Sequence, residues 1–384
     1  MYVKLPAMNT GHFTPQHPGE HLRIMLSERS MSQRDLAFIL GQNPTALSYI
    51  MAGKRGVSAD MSKALGDALG VAPDFFAKLQ ADYDISRADE PDRSVGIRAA
   101  ILSKYPIREM IRRGWLAESD AGGEDIQQQL ARFFQISDPD QIPYLSHAAR
   151  KTDYASREIS PAQLAWLFRV KQIASSMAAP PYSASSLLNA VDNLRDILTT
   201  VEDARRVPRI LMEAGVRFIV VETLPEAKID GVCFWLDESS PVIGMSTRYD
   251  RMDNFYFVLR HEIEHVLRNH ARGGDVVDAE LEGVNAGTDE TMPEEERVAN
   301  FAAAEFCVPN DKIESFLRRK HPFYYEKDVL LFAQLNKRHP ALVVGQMQRR
   351  LSRYDYLRKY QVRIRHYVLP SAIVDGWGQS VPTV

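Results

Sequence analysis

Two histidines, His261 and His265, lie four positions apart in the stretch RHEIEHVLRNH. On an α-helix this spacing puts both imidazole rings on one face, about one turn apart, where they can bind one zinc ion at roughly 2.1 Å. Glu262 and Glu264 flank the direction of such a metal at similar angles on opposite sides, at about 100° per residue. The angles alone do not choose which carboxylate would activate a metal-bound water.

The segments around this motif predict the elements that hold it. RVPRILMEAG predicts a helix ended by Gly215, and VRFIVVE, VCFWLD and PVIGMS predict three short strands before the histidine helix. Asp250 or Asp253 is expected to cap that helix. We expect its flanks to be buried because they are apolar: Phe257, Val258, Ile263, Val266 and Leu267. The order indicates a small α+β domain, and the PVIGMS strand is suited to pair with an extended peptide at a sheet edge.

A second pattern lies downstream in the stretch EEERVANFAAAEFCVP. It resembles the downstream signature of the ImmA/IrrE family of HExxH metallopeptidases, which is close to Glu-x-x-Ala-Asn-x-Phe-Ala followed by a proline. Two positions depart from the family: Ala302 stands at the phenylalanine position, with Phe301 displaced by one, and Glu264 stands where relatives carry a small residue. The residues in register are Glu296, Ala299, Asn300, Ala303 and Pro309.

The resemblance implies a zincin-like metallopeptidase domain. By this resemblance His261, His265 and Glu296 are the zinc ligands, and Glu262 polarises a water in the fourth position. The acidic loop between the two helices offers rivals to Glu296, which rank lower because a ligand on a helix is better fixed than one on a glycine-rich loop. These rivals are Asp278, Glu280, Glu282 and Asp289.

The N-terminal part reads as a compact run of short helices. Ser32 is suited to cap a helix whose apolar stripe is Leu36, Ile39 and Leu40, and Gly41 ends it. Pro44 suits the first position of a second helix, with Leu47, Ile50 and Met51 facing inward and Gly53 closing it. Ala37 is small enough to let the two helices cross closely.

This pattern resembles the helix-turn-helix domain of Xre/Cro-type repressors, down to Ser-Gln-x-x-Leu-Ala and the Gly-Lys-Arg after the second helix. If the second helix lies in a major groove, its outward residues can meet base edges or nearby phosphates. These are Asn43, Thr45, Ala46, Ser48 and Tyr49. Gln33, Lys54 and Arg55 are expected against phosphates. One such domain makes few base contacts, so we expect a homodimer on a palindromic site.

Three regions follow from these patterns: a helix-turn-helix domain over residues 1–90, a helical linker domain over 91–205, and the metallopeptidase-like domain with its tail over 206–384. The fold class is therefore mainly α with a small α+β domain. In the middle region Trp115, Trp166, Phe133 and Phe134 are expected as core or dimer-contact residues. The basic C-terminal region predicts a charged surface with a strand at VRIRHYV.

Composition excludes several classes of protein. A net charge of −3, with 25% charged and 45% apolar residues, fits a globular protein rather than a nonspecific polyanion binder. No apolar run approaches the ~20 residues that span a bilayer. The two cysteines, Cys233 and Cys307, are far apart, which favours a reducing cytoplasm.

Two functions fit these features. The architecture resembles the long members of the HigA-type antitoxin group, which implies a DNA-binding repressor or antitoxin whose zinc domain is a sensor or processing switch. The alternative is an active zinc endopeptidase that cleaves Xre-type repressors or itself. The expected partners are operator DNA and either a toxin or an Xre-type repressor.

Overall fold

The computed structural model describes residues 15–90, 93–118, 125–137, 159–269, 276–279, 293–379 and 381. These residues form two compact units, one within Met1–Arg93 and one within Ser94–Val384. The first unit is helical, and the second combines helices with one sheet, so the chain is mainly α with a small α+β part, as predicted. No helix among the described residues is long and apolar enough to cross a membrane.

The first unit is a bundle of short helices. Their bounds are Pro18–Glu28 (α1), Gln33–Ile39 (α2), Pro44–Met51 (α3), Ala59–Leu69 (α4) and Phe75–Arg87 (α5). Each helix contributes at least one side chain with no exposed surface to a common core, and these are Leu22, Leu36, Leu47, Leu65 and Phe76. Helices this short are marginal alone in water, so the shared core stabilises them.

The predicted helix-turn-helix is confirmed in α2 and α3. Ser32 caps α2 in a capping box with Asp35, and Pro44 occupies the first position of α3. Ala37 is buried, as a close helix crossing requires. The inward position predicted for Ile39 is wrong, since this side chain is 52% exposed. α2 is only seven residues long and ends at Ile39, so its contribution to the core is made by Leu36 and Ala37.

Helices make up most of the second unit. They are Arg93–Lys104 (α6), Ile107–Arg112 (α7), Ile126–Phe133 (α8), Pro161–Ser176 (α9), Ala184–Asp196 (α10), Val207–Glu213 (α11), Met252–Arg268 (α12), Glu294–Cys307 (α13), Asn310–Lys320 (α14), Glu326–Leu335 (α15), Pro340–Leu351 (α16) and Arg365–Val368 (α17). The strands are Arg217–Val221 (β1), Ile229–Trp235 (β2), Pro241–Met245 (β3), Val276–Ala279 (β4) and Ile373–Asp375 (β5).

The strands form one mixed sheet in the order β4-β2-β3-β1-β5. β1 is parallel to β3 and β5, whereas β2 is antiparallel to β3 and β4. The three predicted strands are therefore confirmed as β1, β2 and β3. The expectation that PVIGMS pairs with a peptide at a sheet edge is wrong, because this strand is β3 and both of its sides are already paired within the sheet.

Both faces of the sheet are covered by helices. Side chains alternate along β1, so Phe218 and Val220 enter one core while Ile219 and Val221 enter the other. The first core includes buried residues of α10 to α13, and the second includes buried residues of α6 to α9. Helices from the middle region, residues 91–205, thus share cores with the sheet of the same unit.

The aromatic residues singled out in the middle region are core residues. Trp115, Trp166, Phe133 and Phe134 are all buried. Each indole N–H has an acceptor: Trp115 Nε1 donates to Asp375 Oδ2 at 3.0 Å, and Trp166 Nε1 donates to the Val221 carbonyl at 3.0 Å. These bonds satisfy the polar atom of each indole, which a buried tryptophan requires.

The strand predicted at VRIRHYV is wrong. Residues Arg365–Val368 form the short helix α17, and the C-terminal strand is β5, a few residues later. Asp250 Oδ1 accepts hydrogen bonds from the backbone N–H groups of Ile364 and Arg365 at 3.0 and 2.8 Å. A carboxylate that accepts these two donors begins a helical turn here, so neither N–H is available to a neighbouring strand.

Candidate metal centre and nucleic-acid interface

Helix α12 carries the HEIEH motif through the interior of the second unit. Its side chains are buried over most of its length, including His261, Glu262 and His265. The prediction that Asp250 or Asp253 caps this helix is wrong. Arg251 holds the cap position without a side-chain cap bond, Asp253 pairs with Arg251, and Asp250 bonds the later turn at Ile364 and Arg365.

Two histidines and one glutamate converge on one point. His261 Nε2 and His265 Nε2 are 3.0 Å apart. Glu296 Oε2 lies 3.3 Å from His261 Nε2, and Glu296 Oε1 lies 3.5 Å from His265 Nε2. One ligand atom from each of the three side chains lies within 4.8 Å of the others, the spacing expected of donors that share a metal ion.

The geometry comes from two packed helices. Both histidines lie on α12, one turn apart, and Glu296 lies in the first turn of α13, which packs against α12. The histidine side chains are fully buried, whereas the Glu296 side chain is 23% exposed. Two imidazoles and one carboxylate form a donor set that fits a divalent cation.

Of the four rival ligands, one lies on a strand whose backbone the structure describes, and three lie outside the described residues. Asp278 lies on β4, where its backbone is in register with Gly231 of β2. Glu280, Glu282 and Asp289 lie outside the described residues. Among the described residues the cluster that can hold a metal consists of His261, His265 and Glu296.

The structure separates the two glutamates of the motif. Glu264 accepts a hydrogen bond from Arg260 Nη2 and another from Arg268 Nε, each at 2.7 Å. Burial raises the pKa of Glu264, but these hydrogen bonds outweigh burial and leave the pKa below its ordinary value. Glu264 is therefore an ionised carboxylate held between two guanidinium groups.

Glu262 has a different environment. Its side chain is fully buried, and its carboxylate lies against β2 so closely that a Cβ on Gly231 would overlap Oε1. Gly231 is not among the residues predicted from the sequence to belong to the site. Gly231 directly precedes the predicted strand VCFWLD, whereas the structure begins β2 at Ile229 and so places this glycine inside the strand. A glycine inside a strand is a known sign of close approach by another group, and a longer predicted strand would have given this signal.

In the first unit, α3 presents the predicted DNA-reading residues on its outer side. Asn43, Thr45, Ser48 and Tyr49 are exposed, and Ala46 is half-buried. Lys54 and Arg55 are exposed in the turn that follows. This arrangement leaves a row of polar and aromatic side chains free of the core that α3 builds with Leu47 and Ile50.

Two of the predicted contacts also hold the helix-turn-helix together. Asn43 Oδ1 accepts the backbone N–H of Thr45 at 2.9 Å and so caps α3. Gln33 Nε2 donates to the Pro44 carbonyl at 2.8 Å and so ties α2 to the start of α3. Asn43 therefore stabilises the start of α3, and Gln33 joins α2 to α3, whatever else these side chains contact.

The first unit is a helix-turn-helix bundle, and the second unit carries two histidines and a glutamate on adjacent helices. Together these features define a regulator with a metal-dependent, peptidase-like domain. Family comparisons agree with this class. The helix-turn-helix family matches residues 22–76, and the IrrE N-terminal-like domain matches residues 213–339. The chain belongs to the Xre-type helix-turn-helix family and carries an IrrE-like domain in its second unit.

Individual relatives match about a fifth of the chain. Virulence-associated protein A' of Dichelobacter nodosus is 38% identical over 77 residues, which is 20% of this chain and 67% of that protein. An addiction module antidote protein of the HigA family from Coxiella burnetii is 33% identical, covering 19% of this chain and 82% of its own, with a TM-score of 0.19. The antitoxin HigA of Pseudomonas aeruginosa, solved with the higBA promoter, is 36% identical, covering 19% and 79%, with a TM-score of 0.18.

Proposed function

We propose that this chain is an operator-binding transcriptional repressor of the antitoxin-like kind, whose IrrE-like domain holds zinc and acts as a sensor or processing switch. The observation that carries the DNA-binding part is the outer side of α3, where Thr45, Ser48 and Tyr49 are exposed beside Lys54 and Arg55. Polar side chains on a second helix-turn-helix helix can reach base edges, and the following cations can reach phosphates.

A single reading helix contacts few base pairs, so we propose a homodimer on a palindromic operator. Two copies would place their α3 helices in successive major grooves, with half-sites about 10 base pairs apart or a multiple of that. The two free cysteines, Cys233 and Cys307, are buried and fit the reducing cytoplasm in which such a repressor would act.

The test begins with selection of bound duplexes from a random-sequence pool by the full-length protein. Ser48→Ala is then expected to weaken binding to the selected duplex by about 1–3 kcal/mol. It should also relax the base preference at one position of each half-site. Ser27→Ala, which removes an exposed hydroxyl on α1, is the matched control and should leave binding unchanged. Enrichment of no sequence, with no binding to any duplex, would overturn the DNA-binding proposal.

For the metal centre we propose zinc held by His261, His265 and Glu296. The support is the donor set: two buried imidazoles and one carboxylate whose ligand atoms lie within 4.8 Å of one another. When bound, zinc would supply a polarised water of lowered pKa at its open position. Glu262 is the carboxylate of the motif that can accept a proton there, because Glu264 is held by Arg260 and Arg268.

A second candidate function is proteolysis of an Xre-type repressor, of a protein partner such as a toxin, or of the chain itself. The specific observation is that Glu262, on the same helix as the two histidine ligands, is buried against Gly231 of β2. HExxH enzymes use the glutamate at this position as the general base. We therefore propose peptidase competence as the alternative to a purely sensory zinc site.

The discriminating experiment incubates zinc-loaded protein alone, with its selected duplex, and with the product of the neighbouring reading frame. Peptide-bond cleavage that disappears in Glu262→Gln but persists in Glu264→Gln would support the peptidase. Cleavage retained in full by Glu262→Gln would overturn the role given to Glu262. An intact partner under every condition, together with sequence-specific DNA binding, would leave the repressor as the function of the chain.

A further inference from the structure

A cavity of about 380 Å³ lies within the first unit, directly after the helix α3 that carries the predicted base contacts. Three pieces of the unit line it: His17 before α1, the turn Gly53–Gly56 after α3, and the last two turns of α5. The proposed DNA-binding function uses two of its lining residues, Lys54 and Arg55, but assigns no role to the cavity itself or to the side chains of α5. Its walls combine positive charge with side chains that are held in place, which a ligand site requires.

His17 forms the inner wall. Its Nδ1 accepts the backbone N–H of Gly19 at 3.0 Å, so this nitrogen carries no proton. The ring stands edge-on to Tyr83 of α5, with centroids 4.9 Å apart, and its other neighbour is Gly53, where a Cβ would lie 3.7 Å from the ring. The imidazole thus joins the start of α1, the turn after α3 and α5.

Gln80 fixes the turn from the other side. Its Oε1 accepts the backbone N–H of Val57 at 3.0 Å, and its Nε2 donates to Asp84 Oδ1 at 2.9 Å. The turn is tight against this side chain, since a Cβ on Gly56 would lie 3.1 Å from Gln80 Cδ. The backbone that carries Lys54 and Arg55 is therefore held by α5 as well as by α3.

The charge of the cavity is unusual for this unit. Residues 1–90 hold nine Lys or Arg and ten Asp or Glu, so the region has no general excess of positive charge. Three of those nine cations, Lys54, Arg55 and Arg87, nevertheless line one cavity, against one carboxylate, Asp84. Asp84 Oδ1 already accepts a hydrogen bond from Gln80. The net charge favours an anion.

Arg87 is the cation that the sequence pattern did not predict. Nη1 donates to the Tyr83 hydroxyl at 2.6 Å, and the guanidinium lies 5.5 Å from the centre of that ring. A guanidinium has five N–H donors in a fork that suits phosphate oxygens, and Tyr83 accepts from only one of its nitrogens. Tyr83 therefore orients the group and leaves donors for a ligand.

We propose that this cavity is a phosphate site, and that its occupant is one backbone phosphate of the bound duplex, held by Arg87 together with Lys54 and Arg55. This inference rests on the proposed DNA-binding function. It follows from position, because the cavity opens in the turn that ends the reading helix, where backbone phosphates flank a major groove. α5 thus becomes part of the DNA-binding surface, and Gln80 is a positioning residue for Lys54 and Arg55.

The test measures the affinity of the full-length protein for a duplex of defined sequence as a function of salt. Arg87→Gln is expected to lower the affinity equally for all sequences and to reduce the slope of log K against log salt by about 0.9. The factor by which affinity falls between ~50 and ~200 mM salt should accordingly be roughly threefold smaller for Arg87→Gln than for the wild type. Arg87→Lys should recover the slope but only part of the affinity, because it keeps the charge and loses the fork.

Lys78→Gln is the matched control. Lys78 also lies on α5, nine residues before Arg87, which places it on the opposite side of the helix at 100° per residue. It does not line the cavity. Removal of this charge should leave both the affinity and the salt slope equal to those of the wild type within error. It nevertheless changes the net charge of the protein by the same amount as Arg87→Gln.

Gln80→Ala tests the positioning role. It should lower affinity for the duplex while leaving the salt slope unchanged, because the cations remain but the turn that carries two of them loses its hydrogen bond. Amide signals of Gly53 to Gly56 should shift in the free variant. A smaller salt slope in Gln80→Ala would instead show that Gln80 does not act by positioning the cations of the turn.

Free phosphate is the other source of the same chemistry, so inorganic phosphate and ATP are titrated separately against the protein. Duplex binding by the wild type that is unaffected by Arg87→Gln would overturn the inference while leaving the proposed function intact. Tight ATP binding lost in Arg87→Gln, without an effect on duplex binding, would overturn it in favour of a small-molecule site. Absence of duplex binding by the wild type would instead contradict the proposed function itself.

Discussion

The carboxylate of Glu262 lies against the backbone of Gly231, so that no side chain can occupy this position of β2 without displacing it. Strand β2 also pairs with β4 at this point, where the register shifts by one residue between Ile229 and Gly231. The bulge thus ends at a glycine, whose missing side chain leaves the room that the second residue of the HEIEH motif occupies.

Gly231→Ala is expected to destabilise the second unit by about 1–3 kcal/mol through overpacking against Glu262. The other residue that a Cβ there would meet is Val258, whose Cγ1 would lie at 3.0 Å and contribute less. Urea unfolding of the single variants and of Gly231→Ala/Glu262→Ala measures the coupling. The double variant should be more stable than the sum of the single effects predicts; additive effects would show that Glu262 is not the group displaced.

Zinc is expected to raise the melting temperature of the second unit, because an ion that binds only the folded state stabilises it. At a hundredfold excess over Kd the gain is about 2.7 kcal/mol, which corresponds to roughly 4–5 °C for a unit that spans Ser94–Val384. His265→Ala and Glu296→Gln should abolish most of the shift. Glu294→Gln, which changes an exposed acid in the same turn of α13, should retain it. An equal shift in His265→Ala would contradict the ligand set.

Glu109 should make stability depend on acid pH. Hydrogen bonds from Arg112 and Arg113 lower the pKa of Glu109 from 4.5 to about 2, against the opposing effect of burial. Because the folded-state pKa is the lower one, the stabilisation is complete above about pH 4.5 and is lost as the pH falls through about 2.

Glu109→Gln should therefore lower the free energy of unfolding by about 1.5–3 kcal/mol at pH 7 and by progressively less below pH 4.5. Urea unfolding at several pH values measures the difference from wild type. The control is Glu213→Gln, which removes a largely exposed acid that also faces an arginine four residues away. Its effect should be small at every pH, and a pH-independent effect of Glu109→Gln would contradict the assignment.

Asp375 anchors the last strand of the sheet. It forms a buried ion pair with Arg169 of α9 and accepts the indole N–H of Trp115. Asp375→Ala is expected to cost about 3–5 kcal/mol, because it leaves a buried guanidinium without its charge partner. Asp375→Leu with Arg169→Met should be less destabilising than Asp375→Ala alone. The exposed pair of Asp192 and Arg195 supplies the control, since Asp192→Ala should cost less than about 0.5 kcal/mol.

Local signals in the sequence predicted much of this structure. Caps, turn glycines and apolar spacing predicted α2 and α3, and the i to i+4 spacing put His261 and His265 on one face, because these features depend on neighbours within a few residues. The same kind of signal could have separated the two glutamates. Arg260 and Arg268 each lie four residues from Glu264, which predicts ion pairs on the surface of a helix.

The relationships that sequence reasoning did not predict join distant parts of the chain. β3 is the central strand because β1 and β5 extend the sheet on one side, and β5 lies more than a hundred residues further along. Asp250 was assigned to the nearest helix, but its carboxylate bonds a turn at Ile364 and Arg365. Likewise His17, the turn after α3 and Arg87 meet only when the first unit folds, so no local pattern marks their cavity.

The pairing of β1 with β5 has a consequence for the time course of synthesis. Ile219 is in register with Ile373, whereas the whole core of the first unit is drawn from residues 22–76. At about 5–20 residues per second, the first unit emerges from the ribosome well before the strand that completes the sheet is synthesised. The helix-turn-helix of the nascent chain can therefore be folded while the sheet of the unit that carries the histidines still lacks its final strand.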